Sequence, residues 1–227
     1  MKPVEVILGR TLFVTAAFSW TLAASAQNVT DRAGHWDASF QVLYADSKTL
    51  NSESGSSANI DSGYGWGFGF GYNFNDHWGL EFNGSWREAD YKATVAPQAG
   101  NPNGPQSLSG TLDVGTMAIN ATYNLLAGAL TPFVTGGMGA TYVNTDIPAG
   151  LPVNVCWWDP WWGYYCGPVV PTKSDTYFSY NAGVGVRWDA KKSLFLRGQI
   201  SEQWVDVGGG VGTPSFTQVR FDIGTRF

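Results

Sequence analysis

The sequence predicts an all-β chain, an eight-stranded antiparallel up-and-down transmembrane β-barrel. Three observations predict it. Charged residues make up 14% of the 227 residues and aromatics 15%, with 29 glycines, whereas a soluble domain carries roughly 25% charge. No apolar run beyond residue 26 is long enough for a membrane helix, which needs about 20 residues. Apolar side chains instead recur at every second position over eight segments, as in a sheet with one lipid-facing side.

Residues 1–26 are set apart before the fold is read. Lys2 and Arg10 supply a positive region, and "TLFVTAAFSWTLAAS" is an apolar stretch too short to anchor. Ala24-Ser25-Ala26 then offers a small-x-small cleavage site, completing the anatomy of a secretory signal peptide. The barrel domain is expected to be 27–227. Export permits a disulfide, and Cys156 and Cys166, the only cysteines, allow one pairing. His35 and His77, the only histidines, lie far from them in sequence, so no metal site and no cofactor are expected. A net charge of −5 argues against a nucleic-acid partner.

The strands follow in order. In 36–45, Trp36, Ala38, Phe40, Val42 and Tyr44 alternate with Asp37, Ser39 and Gln41. In 62–74, Tyr64, Trp66, Phe68, Phe70, Tyr72 and Phe74 are spaced mostly by glycine. A turn at 75–77 leads into 78–86, where Leu80, Phe82 and Trp86 oppose Glu81, Asn83 and Ser85. In 111–125, Met117, Ile119, Ala121 and Tyr123 face outward. Leu112 and Val114 fall out of phase there, which a β-bulge or an early loop would explain. Segments 132–143, 176–188, 194–204 and 215–227 complete the eight, with Pro132 at a strand start. Connections 75–77, 126–131 and 189–193 are short; 46–61, 88–110, 144–175 and 205–214 are long and rich in Gly, Ser, Asn and Pro. Short turns mark the periplasmic end of an outer-membrane barrel and long loops its outer end. Trp and Tyr cluster near both ends of the strands, with Phe and aliphatics between, as a bilayer demands.

The inward face carries charge. Glu81, Arg197, Arg220 and Asp222 are expected at comparable depth, paired and plugging the lumen, because buried charges need partners and an eight-stranded barrel is just wide enough for side chains. Inward glycines (Gly137, Gly139, Gly183, Gly185) leave a narrow solute path open as the alternative. No histidine reaches the outer half, and Glu202 near the outer rim has no partner at readable spacing. Without a nucleophile beside a base, no enzyme is expected.

"CWWDPWWGYYC" (156–166) falls in the third outer loop, with Trp157, Trp158, Trp161, Trp162, Tyr164 and Tyr165 between the cysteines. A Cys156–Cys166 bond closing this 11-residue ring contributes roughly 3 kcal/mol of loop order on a chain-entropy model. Two readings stand. The ring folds onto the barrel rim as a hydrophobic cap, or it displays aromatics for stacking on sugars or for dipping into a membrane.

"NATYNLLAGALTPFVTGGMGATYV" (120–143) and "NAGVGVRW" (181–188) resemble the small outer-membrane barrel domain of the OmpA, OmpX and opacity-protein group. The terminal "VRFDIGTRF" looks like the assembly signal of such barrels. Val219, Phe221, Ile223 and Phe227 hold its alternate positions, although Thr225 stands where an apolar residue or Tyr is usual. The resemblance implies an outer-membrane location amid lipid and lipopolysaccharide, and insertion by the barrel assembly machinery. With the barrel running to Phe227, no peptidoglycan-binding domain is expected after it. The function expected is structural or adhesion-type, with a surface glycan or host ligand as partner and without catalysis. A narrow porin-like channel for small or hydrophobic solutes is the alternative.

Overall fold

The computed structural model describes residues 32–51, 55–95, 106–148, 153–161, 163–169, 171–208 and 213–227. The expected signal peptide lies outside them. The strands are β1 (His35–Ala45), β2 (Lys48–Asn51), β3 (Ser57–Ile60), β4 (Gly63–Asn73), β5 (Trp78–Val95), β6 (Gln106–Asn124), β7 (Leu130–Pro148), β8 (Val153–Asp159), β9 (Gly163–Val169), β10 (Thr172–Asp189), β11 (Leu194–Asp206) and β12 (Ser215–Arg226). Eight of them close a ring in the order β1-β4-β5-β6-β7-β10-β11-β12, every neighbour antiparallel. The first and last strands zip it shut, from Asp37 opposite Arg226 to Ala45 opposite Gln218. A closed ring leaves no unpaired strand edge in hydrocarbon, where an unmet backbone group costs several kcal/mol.

Side-chain parity then sorts the residues. Phe40, Val42, Phe70, Phe82, Ile119, Val134, Val184, Ile200 and Phe221 stand exposed on the outer wall. Trp36, Trp78, Trp188 and Phe227 ring one end, and Tyr64, Trp66 and Tyr142 the other. Outer-face rings touch across strands, as Trp66 does with Trp86 at 5.1 Å between centroids.

The inward glycines are sites of close approach. A Cβ at Gly67 would lie 2.5 Å from Gln41 Nε2, and one at Gly69 would lie 2.7 Å from Ser39 Oγ. A Cβ at Gly185 would lie 2.6 Å from the Phe133 ring, and one at Gly137 would collide with the Asn120 amide. The space that these glycines leave is therefore filled by larger neighbours. At Gly137 and Gly185, which left a solute path open as the alternative, neighbouring side chains occupy that space.

The strands also run beyond their expected ends. β5, β6, β7 and β10 have 18 or 19 residues, where a tilted crossing needs about 9–11. Much of the expected loops 88–110 and 144–175 is thus strand, and β2 and β3 form a hairpin whose second strand pairs with β5. No bulge separates Leu112 and Val114 from the rest of β6, because pairing with β5 is unbroken from Trp78–Tyr123 to Val95–Gln106. Their side chains simply point inward like Asn120 and Ala118. Pro132 is the third residue of β7, not its first, and its carbonyl accepts from Leu125 N. Asp189, expected in a turn, ends β10 and is buried.

Candidate functional site

The lumen is zoned along its axis. At the periplasmic end Asp189 is a hub for three arginines: Arg32 Nε at 2.6 Å, Arg187 Nε at 3.0 Å, and Arg226 Nη2. Arg187 Nη1 also reaches Asp37 at 2.6 Å, and Asp37 accepts from Asn73 Nδ2 at 2.9 Å. Arg32, just before β1, is fully buried and donates to the carbonyls of Asp76 and Leu126 at 3.2 and 3.1 Å, and of Gly128. It thereby ties two periplasmic turns across the mouth. Above this layer lies the Phe195 ring, with the Arg187 guanidinium 4.1 Å from its centroid and that of Arg197 5.4 Å away.

Glu81, Arg197, Arg220 and Asp222 form the next layer as a closed four-membered ring. Arg197 meets Glu81 at 2.5 Å and Asp222 at 2.8 Å; Arg220 meets Glu81 at 3.5 Å and Asp222 at 3.1 Å. Each carboxylate thus touches both cations, the arrangement that lets buried charge persist. An uncharged amide layer follows, in which Gln41 donates to Asn83 at 2.9 Å and Asn181 to Asn120 at 2.9 Å. The voids in these layers are about 20 and 40 Å³, roughly the room one water needs.

Above Thr116, Thr141 and Gln203 the character inverts. Leu112, Val114, Val205, Phe216, Tyr91 and Ile60 are buried inside the barrel around an apolar chamber of about 230 Å³. Outward neighbours at this height, such as Glu88, Asp90, Lys92 and Asp113, are exposed. Within the bilayer the wall is apolar outside and polar inside. Beyond it, where water replaces lipid, the same strands are polar outside and apolar inside. Leu112 and Val114 looked out of phase because the solvent changes along β6 while the side-chain parity does not.

Arg87 projects inward at this boundary and lines the chamber. Its guanidinium lies over Phe216, 5.4 Å from the ring centroid. Its Nη1 is buried without a hydrogen-bond partner.

The third outer loop holds β8 and β9, which pair with one another as a separate ribbon. Cys156 and Cys166 face across it and are bonded, S–S 2.09 Å. Trp158, Trp161 and Tyr164 are 69%, 87% and 72% exposed. These three rings are not buried against the barrel rim. Trp157 and Tyr165 lie opposite one another in the ribbon's backbone register, but their side chains, like all of Trp162, lie outside the described residues.

The segment expected to carry the assembly signal is the periplasmic half of β12. Val219, Phe221 and Ile223 sit on the lipid-facing parity of β12, with Phe221 and Ile223 well exposed. Phe227 exchanges both backbone hydrogen bonds with Trp36, at 3.0 and 2.9 Å. Both histidines stay at the periplasmic end: His35 Nδ1 lies 2.9 Å from the Ala33 carbonyl oxygen, and His77 Nδ1 2.7 Å from that of Asn124. Glu202 accepts a hydrogen bond from Thr217 Oγ1 at 2.8 Å. Among the described residues no cluster of His, Cys, Asp and Glu fits a metal ion.

Sequence reasoning missed the Asp189 hub, because Arg32 precedes the first strand and Asp189 reads as turn. It also missed the chamber. The inward parity of Ala89, Tyr91, Leu112 and Val114 was the available signal.

This is the architecture of a small outer-membrane barrel, and the family comparison agrees. The model for the "Outer membrane protein beta-barrel domain" matches residues 14–227, so the chain belongs to that family and to the outer membrane. No curated protein matches it. Similar solved structures include the Neisserial surface protein A, NspA, at 14% identity, covering 84% of this chain and 95% of that one, TM-score 0.47. OprG of Pseudomonas aeruginosa is 14% identical, covering 86% and 97%, TM-score 0.49. Ail, the attachment invasion locus protein of Yersinia pestis, solved with the heparin analogue sucrose octasulfate, is 12% identical, covering 85% and 99%, TM-score 0.43.

Proposed function

We propose that this protein is a non-conducting, non-catalytic barrel that serves as a surface-interaction protein of the adhesion type. The aromatic ribbon is its contact element, and its partner is a sugar-bearing surface, lipopolysaccharide or a host glycan. The observation that carries this reading is the exposure of Trp158, Trp161 and Tyr164 on a disulfide-clamped ribbon that pairs with no barrel strand among the described residues. Aromatic rings supply contact area at low entropic cost, and a clamp lowers the cost further by preorganising them. The voids of about 20 and 40 Å³ in the lower lumen support a closed barrel and weigh against the porin-like alternative. The histidines at the periplasmic end weigh against an outer-rim hydrolase.

Titrating the oxidised protein with glycans and, separately, with lipid vesicles tests the reading. Trp fluorescence shifts with glycan in the wild type, and a Trp158→Ala/Trp161→Ala variant loses that response and its binding to cells. A response to vesicles alone would make the ribbon a membrane-dipping element, and no response to either would overturn the proposal.

The last strand serves as the segment read by the barrel assembly machinery. Deleting Phe227 lowers outer-membrane insertion in cells while refolding in detergent proceeds. Normal insertion of the truncated chain would remove that role.

A further inference from the structure

We propose that the outer chamber is a binding site for a small amphipathic monoanion, an acid whose carboxylate pairs with Arg87 and whose hydrocarbon or aromatic part fills the cavity. The first ground is charge. Arg32, Arg187, Arg197, Arg220 and Arg226 each touch at least one carboxylate. Arg187, Arg220 and Arg226 also have an unpartnered buried nitrogen, yet each keeps an ion pair. Arg87 touches no carboxylate among the described residues, and its Nη1 is buried and unpartnered. A guanidinium forks onto a carboxylate through two parallel N–H bonds, so the group that completes Arg87 is a planar anion.

The second ground is the cavity's own chemistry. Its walls are Leu112, Val114, Val205 and Phe216 with Ile60, which reward an apolar body and penalise a sugar whose hydroxyls would go unpaired. The polar groups of its floor are already engaged: Thr141 donates to Ser179 at 2.9 Å, and Gln203 Nε2 lies 3.0 Å from Thr141 Oγ1. Of the other polar lining groups, Tyr91 Oη donates to Asp146 at 3.2 Å, Thr145 Oγ1 donates to the Lys173 carbonyl at 3.2 Å, and Tyr177 hydrogen-bonds Asp175, which among the described residues leaves Arg87 to fix orientation. At about 230 Å³ the chamber falls just below the usual range of small-molecule pockets, about 300–1,000 Å³, which suits a short-chain or single-ring acid.

The third ground is access. At the height of Arg87 the wall is fully paired, with Arg87 opposite Gly65 on one side and Val114 on the other, and Val114 opposite Val143. The amide and ion-pair layers close the cavity from below. The acid thus comes from the external medium, not from the bilayer.

The test uses the refolded chain in nanodiscs of zwitterionic lipid, with 4-phenylbutyrate and its neutral amide as probes. The acid binds about tenfold or more tightly than the amide, the margin of a charge-assisted pair over a neutral contact. Arg87→Gln brings the acid down to the affinity of the amide, Arg87→Lys keeps part of the preference, and Val114→Phe weakens both probes by filling the cavity. Heat-modifiable mobility confirms that each variant is folded. Independently of any variant, the Arg87 Nε–H resonance of the wild type shifts with the acid and not with the amide. Equal affinity for acid and amide, no binding of either, or an unchanged preference in Arg87→Gln would overturn the proposal. Weaker binding of the neutral amide as well as the acid in nanodiscs of anionic lipid would place an anionic lipid in the chamber and overturn the assignment to a free acid.

Discussion

Arg197 and Arg87 both point into the lumen, and their surroundings are opposite. Arg197 is held by Glu81 and Asp222 at 2.5 and 2.8 Å, packs near Phe195, and has voids of only 20 and 40 Å³ around its layers. Arg87 faces an apolar chamber of about 230 Å³ and no carboxylate among the described residues. The lower region is filled and its charges are ion-paired, so they serve stability. The upper region is hollow and electrostatically incomplete, so its charge is available to something else. A cation inside a barrel is informative only together with what neutralises it.

That contrast can be broken from either side, and removing a carboxylate from the lower region has the largest expected effect. Asp189→Ala strands Arg32 and halves the pairing of Arg187 and Arg226. It should cost at least the ~3–5 kcal/mol of breaking a buried pair, measured as unfolding free energy in detergent. Glu81→Ala leaves Arg197 and Arg220 sharing Asp222 and should cost about 3–5 kcal/mol by the same argument. A loss below about 1 kcal/mol, the worth of an exposed pair, would mean that water reaches the plug.

Added volume sharpens the contrast at a smaller scale. Gly137→Ala puts a methyl into the Asn120 amide and should cost about 1–3 kcal/mol through overpacking. Val114→Ile, at the chamber wall, should cost less than about 1 kcal/mol because the added methyl meets empty space. Equal penalties would deny that one region is full and the other hollow. The smallest effect belongs to Arg87→Met. It removes a cation that no carboxylate among the described residues neutralises and gives up a contact with Phe216, so stability should stay within about 1 kcal/mol of wild type.

The barrel was legible in the sequence because lipid imposes period two on every crossing strand. Trp36 to Tyr44, Tyr64 to Phe74 and Val219 to Ile223 write it plainly. The ring of Glu81, Arg197, Arg220 and Asp222 was legible as well, since inward parity and similar depth are readable from alternation. The Asp189 hub was not. Arg32 lies outside any periodic segment, and its partners come from three turns or strand ends far apart in sequence. The chamber was hidden by the rule that revealed the membrane. Alternation was read as apolar-out throughout, and past Trp86 on β5 and Gly115 on β6 the sign reverses because water replaces lipid on the outer wall. Leu112 and Val114 then looked like an irregularity of the backbone when they were a change of solvent. The ribbon's sequence leaned toward the cap without excluding display, since ring closure by Cys156 and Cys166 is common to both; the exposure of Trp158, Trp161 and Tyr164 supports display.

Planar-bilayer recording of the refolded chain tests the closed lower lumen most directly. The paired layers around Asp189 and around Glu81 predict a flat trace across applied voltages, with no discrete openings above lipid background. Discrete, reproducible openings in the wild type would contradict the plug, and would mean that the ion pairs part to let solute through.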